Sequence, residues 1–327
     1  MTNLRIVLFL VVLAVGIASW MLTCAAWQFD EVAAGVIPLD DRAFEELTVV
    51  TLGTGGAYEN HRRRGPASAI GLGSELILVD AGRGIAESLR AAKIPVSQPG
   101  TVLLTNLLPE NTLGLDDLLA MSRMRGRSAS IRLIGPPGTE ALARSVEAAT
   151  RTGMETWGRA LAPGEPPRFE VSEATIGAGD GPAFAVTFAG LEVVAAWLPG
   201  GPTEALAYRL TANDRSAVVS GTGWGADALA AFARGAQLLV HDGAMIPTPE
   251  EAAKLGLEED PEHLRREAAL HTSLEQAGGI AQRAGVDVLV LVRLRPPPVY
   301  DLQVTSLVSD HFDGRVVIAE DGDEFTP

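Results

Sequence analysis

From Ile6 to Trp27 the chain reads IVLFLVVLAVGIASWMLTCAAW, 22 residues without a charge. About 20 apolar residues span a bilayer as a helix. A helix with no polar face has nothing to show water. The run therefore predicts an N-terminal membrane anchor over residues 1–27, with contact to the bilayer through residues 6–27. Arg5 precedes it and Asp30 and Glu31 follow it. That asymmetry places the short N-terminus in the cytoplasm and the body outside it, in the periplasm of a bacterium. A cleaved signal segment is the rival reading, although its apolar core is usually shorter. A lipoprotein attached at Cys24, in MLTC, is the third.

Residues 28–45 read as a linker and 46–327 as one folded body. Leu47–Gly56 has the β-branched run and glycine turn of a strand. Ser68–Gly82 reads as a hairpin turning at Gly73-Ser74. Thr101–Asn106 and Ser130–Thr139 read as strands, with helical spacing over Arg83–Ile94 and Gly114–Arg125. In the second half, TEALARSVEAAT reads as a helix and FEVSEATIG, FAVTFAG and LEVVAAWLP as strands. ALAYRLTANDRSAVVSG then reads as a hairpin and ADALAAFARG as a helix. AQLLVHDG and VDVLVLVRL are strands around the helix HTSLEQAGGIAQRAG, whose HTS start supplies N-cap oxygens. Hairpins mixed with helices favour an α/β fold of two packed sheets with helices outside.

Charge narrows the function. The formal net charge is −15, which disfavours DNA or RNA as a partner, because phosphate binding needs clustered Lys and Arg. Cys24 is the one cysteine, so neither a disulfide framework nor a cysteine zinc site is available. The five histidines, His61, His241, His263, His271 and His311, form no H-x-H or H-x-x-x-H pair.

TLGTGG with RRRGPAS, LILVDAGRG, IGPPGT, ALAYRL with SAVVSGTG, GAQLLVHDG, and HTSLEQAGGIAQRAGVDVLVLVRLRPP follow one another along the chain. In that order they resemble the metallo-β-lactamase fold superfamily, in its ribonuclease Z and arylsulfatase-like branch. The resemblance covers roughly residues 47–320. It implies a four-layer αββα sandwich with an active site along one sheet edge, and makes Asp80 the aspartate of the family's first structural motif.

The departures fall on the metal ligands. The family motif T-H-x-H-x-D-H corresponds to Thr105–Asn111, which puts Asn106, Leu108 and Asn111 at histidine positions and Glu110 at the aspartate. The next histidine, expected near Pro199 or Gly200, is missing. The bridging aspartate falls on Thr222 and the last histidine on Arg293. A catalytic zinc needs about three ligands supplying imidazole, thiolate or carboxylate, and amide oxygens suit harder ions. The expected cofactor is therefore none. Arg293 either replaces the ion, pairing with Glu110 and holding the loops, or projects into solvent.

Without a metal, water near neutral pH stays a poor nucleophile. Asp242 and His271 fall where the resemblance implies proton-transfer residues, so a His–Asp pair is the remaining catalytic candidate. The bland reading makes His271 a helix cap and Asp242 a partner for backbone groups. His61–Arg64 reads as an anion site or a solvated turn, and Trp224 as a core aromatic or the lining of an apolar pocket. Two expectations follow: a non-catalytic, membrane-anchored binding or scaffold protein for an unknown ligand or partner, or an active hydrolase with an atypical metal or a metal-free site.

Overall fold

A computed structural model of the chain describes residues 2–56, 60–161, 164–175, 182–221, 223–295 and 301–327. Helix α1 spans Thr2–Val36. Its segment Leu10–Gln28 is long and apolar enough to cross a membrane. The chain divides into two compact units, Met1–Asp40 and Asp41–Pro327. The stretch read as a linker thus holds the last turns of α1 and the start of the first strand. No breaker interrupts the helix between Trp27 and Gly35, and Pro38, which cannot continue a helix, follows its end.

In the second unit, one sheet contains β1 (Phe44–Gly53), β2 (Ala67–Gly73), β3 (Glu75–Val79), β4 (Thr101–Leu103), β5 (Ile131–Gly135) and β6 (Phe169–Glu173). The other contains β7 (Phe184–Phe188), β8 (Leu191–Trp197), β9 (Leu206–Ala212), β10 (Arg215–Ser220), β11 (Leu238–Ala244), β12 (Val288–Arg295) and β13 (Arg315–Ile318). The last strand, β14 (Glu324–Phe325), returns to the first sheet beside β1. The orders are β14-β1-β2-β3-β4-β5-β6 and β13-β12-β11-β10-β9-β8-β7.

Both sheets follow the same rule. From β14 to β3, and from β7 to β10, neighbours are antiparallel. From β3 to β6, and from β10 to β13, they are parallel. The two sheets thus share one arrangement of antiparallel and parallel neighbours.

Period-two alternation builds the layers. Val49, Ile70, Ile77 and Val79 of the first sheet share one core with Leu206, Tyr208, Val219, Val240 and Val290 of the second. The opposite face of the first sheet packs under α2 (Ile85–Ala91), the short α3 (Pro109–Thr112) lies in the loop after β4, and α4 (Leu115–Met124) and α5 (Thr139–Leu161) complete that layer. The outer face of the second sheet packs under α6 (Ala226–Phe232), α9 (Leu274–Ala284) and α10 (Asp301–Ser309). Helices α7 (Pro249–Lys254) and α8 (Pro261–Ala268) lie in the connection from β11 to α9. The expected helix–sheet–sheet–helix layering is present. Ser273 caps α9 through a capping box with Gln276.

Candidate functional site

Two strands lose their alternation at the residues that build the site. In β3, Ile77 and Val79 face the shared core, while Leu76 and Leu78 face the helices. Asp80 would follow under the helices, but its φ of 62° breaks the phase, and Ala81 packs on the helix side instead. In β12, Val290 and Val292 face the shared core and Leu289 and Leu291 the helices. The register with β11 slips between Asp242 and Ala244, so that Arg293 lies in a bulge with φ 54°. Bulges of this kind re-aim a side chain. The Arg293 N–H leaves the ladder and donates to the Thr54 carbonyl at 2.9 Å.

The two side chains meet. Arg293 Nη2 lies 2.7 Å from Asp80 Oδ2, with both residues buried. The same nitrogen donates to Asn111 Oδ1 at 3.1 Å, and Nη1 donates to the Ser220 carbonyl at 3.3 Å. Asn111 Nδ2 donates to Asn106 Oδ1 at 2.7 Å, which also accepts from the Leu108 N–H at 2.9 Å. Thr105 donates to Asp80 through its N–H at 2.8 Å and its hydroxyl at 2.8 Å. Tyr208 donates to the Leu104 carbonyl at 2.8 Å beneath them. One guanidinium therefore ties the ends of β3 and β10 to the loop after β4, across both sheets.

Burial pushes the Asp80 carboxyl up to about 6 from its ordinary 3.8, against the pull of Arg293 and of Thr105, and nearby Glu110 pushes it further up. Burial, with Asp80 close by, holds the Tyr208 phenol well above its ordinary range.

A second polar group lies on the β10–β11 side. Ser220 Oγ is 2.6 Å from His241 Nδ1, which is 3.6 Å from Asp242 Oδ1. Asp242 Oδ2 is 3.3 Å from His271 Nδ1. Burial lowers the His241 pKa, against the pull of Asp242. Among the described residues, His241 Nε2, Asp242 Oδ1 and Arg293 Nε make no hydrogen bond. A cavity of about 460 Å³ opens alongside; Leu108, Glu110 and His271 line it together with side chains of α8.

The comparisons with known proteins bear on this arrangement. No family model matches the chain. It is 32% identical over 258 residues to the ribonuclease Z of Mycobacterium sp. strain KMS, across 77% of this chain and 85% of that protein. The chain belongs to the ribonuclease Z-like branch of the metallo-β-lactamase superfamily. The ribonuclease Z of Mycobacterium bovis strain BCG Pasteur 1173P2 is 28% identical over 285 residues, covering 84% and 96% of the two chains. The metallo-β-lactamase fold protein YhfI of Bacillus subtilis superposes with TM-score 0.62 at 17% identity, over 85% of this chain and 98% of its own. Human tRNase Z, short form, gives 0.62 at 18%, over the same shares. These two share the fold.

The residues at the positions where the resemblance puts the metal ligands do not fit a zinc ion. Asn106 and Asn111 turn their amides on each other, and Arg293 holds Asn111 and Asp80. Leu108 offers no donor, and Thr222 lies outside the described residues, as do the three prolines that follow Arg295. Among the described residues no three His, Cys, Asp or Glu side chains gather as a metal cluster. A zinc ion here would also sit beside the permanent charge of Arg293.

Three expectations need correction. Arg293 takes Asp80 as its partner, not Glu110, because the bulge and the left-handed turn of Asp80 bring those two together while Glu110 lines the cavity. It does not project into solvent. Ser273 rather than His271 caps α9. Of the two readings of Trp224, the structure bears out the core aromatic, buried under the second sheet. Arg63 donates to Thr54 Oγ1 at 2.8 Å and to the Ala319 carbonyl, and the Arg64 N–H to Asp321 Oδ2 at 2.7 Å, which makes this run a structural turn. The Ser220–His241 contact escaped the sequence reading. Its only trace there is the H-D pair closing VHDG.

Proposed function

We propose that this protein is a non-catalytic member of its family, a membrane-anchored binding protein that keeps the scaffold and does without zinc. The observation that carries the reading is the buried Asp80–Arg293 pair at 2.7 Å. Activated hydroxide needs a metal or a strong base beside the water, and this cluster supplies a permanent cation bonded to the first-motif aspartate. Helix α1 supports the anchor, with the body extracytoplasmic. The net charge of −15 argues against RNA as a substrate.

A second reading is supported by one contact. His271 Nδ1 lies 3.3 Å from Asp242 Oδ2, and His271 lines the cavity. That pair is an acid–base dyad for a metal-free hydrolysis of a phosphodiester, sulfate ester or lactone. Assay of the full-length chain on those three ester classes separates the two. The proposal expects no turnover above an Asp242→Asn control; turnover lost in His271→Ala would establish the second.

A further inference from the structure

We infer that the cavity beside α8 takes an uncharged, mainly apolar molecule that donates one hydrogen bond to His271, an alcohol or a phenol. This rests on the binding-protein reading and names the ligand class of that site. The charges around the cavity answer one another. Arg295 pairs with Glu267, Arg266 pairs with Glu262 at 3.3 Å, and Glu110 stands in the lining with Arg83. His263 lies 3.8 Å from Glu267. All of these side chains are half-buried or exposed and keep contact with water. The lining therefore selects neither an anion nor a cation. Leu108, Leu113 and Leu270 give it an apolar wall.

His271 differs from these groups. It is buried, which puts it at the floor of the cavity. Its Nδ1 lies 3.3 Å from Asp242 Oδ2, and Asp242 is buried behind it, outside the lining. A carboxylate only accepts hydrogen bonds, so this contact places the ring proton on Nδ1. Nε2 then carries a lone pair, and it makes no hydrogen bond among the described residues. The ring thus offers the cavity one acceptor at its floor. A ligand without a donor would cover that acceptor and leave it unmet, which is costly in a water-poor site. A small hydrophilic donor would leave the leucines unused. One hydroxyl on an apolar body satisfies both. The volume of about 460 Å³ lies within the range of small-molecule sites, which pair an apolar lining with a few placed polar groups.

The test titrates the full-length chain in phosphatidylcholine nanodiscs calorimetrically, against empty discs, at about pH 8, above the ordinary imidazole range. The probes are octanol, its isomer methyl heptyl ether, which has no donor, octanoate and octylammonium. Octanol should bind saturably, and the ether at least about tenfold more weakly, the factor expected for an acceptor left unmet. Both ions should bind more weakly than octanol. His271→Phe keeps a ring and removes the acceptor, so it should bring octanol down to the level of the ether and leave the ether unchanged. Leu113 is 60% exposed, so the fold tolerates Leu113→Glu, which should weaken alcohol and ether by the same factor. Leu302→Glu, at a site 80% exposed and outside the lining, should change neither. Ether binding as tightly as octanol, either ion binding more tightly, no saturable octanol binding, or a folded His271→Phe that still prefers octanol overturns the inference. The comparison of alcohol with ether in the native chain decides the matter even where His271→Phe does not fold. A metal-free, inactive chain that fails to bind octanol overturns the inference alone, whereas ester turnover abolished by His271→Ala overturns the binding-protein reading beneath it.

Discussion

Asp80 and Arg293 both sit in left-handed backbone and bond to each other at 2.7 Å across the two sheets. Outside glycine that conformation is uncommon and costs about 1–3 kcal/mol per residue. It persists where the surroundings enforce it, and here the enforcing contact is the ion pair. A buried pair of this kind adds little net stability compared with well-packed apolar side chains, but losing one partner leaves a charge buried alone.

Arg293→Met should therefore destabilise the protein by about 3–5 kcal/mol. Asp80→Asn should also destabilise, and the double variant should lose at least about 1 kcal/mol less than the sum of the two. Denaturant melts of the four proteins check this. Strictly additive losses would mean that the contact does not couple the sheets.

The raised Asp80 pKa makes stability depend on pH. The folded carboxyl holds its proton up to about 6 while the unfolded one releases it near 3.8. Its contribution is fully present below 3.8 and is lost as pH rises through 6, on the order of 3 kcal/mol. The lowered His241 works in the opposite sense: its contribution is present above its ordinary 6.5 and fades as pH falls. Denaturation midpoints measured from pH 4 to 7 should show the falling component in the native chain and not in Asp80→Asn. Parallel profiles would contradict it.

Much of the fold was legible because alternation and turn residues are local. The hairpin at Ser74 and the capping box at Ser273 fall where the residues put them. Legibility ended at the site because its geometry depends on breaks in alternation. Nothing local in VLVRL says that Arg293 enters a bulge. Strict period two would have left it under α9, and the pairing with Glu110 was read from adjacency in a motif rather than from strand register. Helices α7 and α8 were missed for a related reason: their short polar turns carry little apolar periodicity.

Arg293→His should not create a zinc site. It restores one imidazole while Asn106, Leu108 and Asn111 still offer none. Equilibrium dialysis against zinc should show no high-affinity binding by this variant. Tight stoichiometric binding would mean that the donor shortage has been misjudged.

The apolar segment Leu10–Gln28 should hold the chain in membranes through alkaline carbonate extraction. If the body is extracytoplasmic, protease added to spheroplasts should digest it. A body protected until lysis would reverse the orientation.

The most direct measurement is the metal content of the purified full-length chain, with its melting curve recorded with and without chelator. The account predicts zinc well below one equivalent and an unchanged cooperative melt, since Arg293 performs the bridging. One equivalent or more of bound metal, with a melt that chelator lowers, would contradict it.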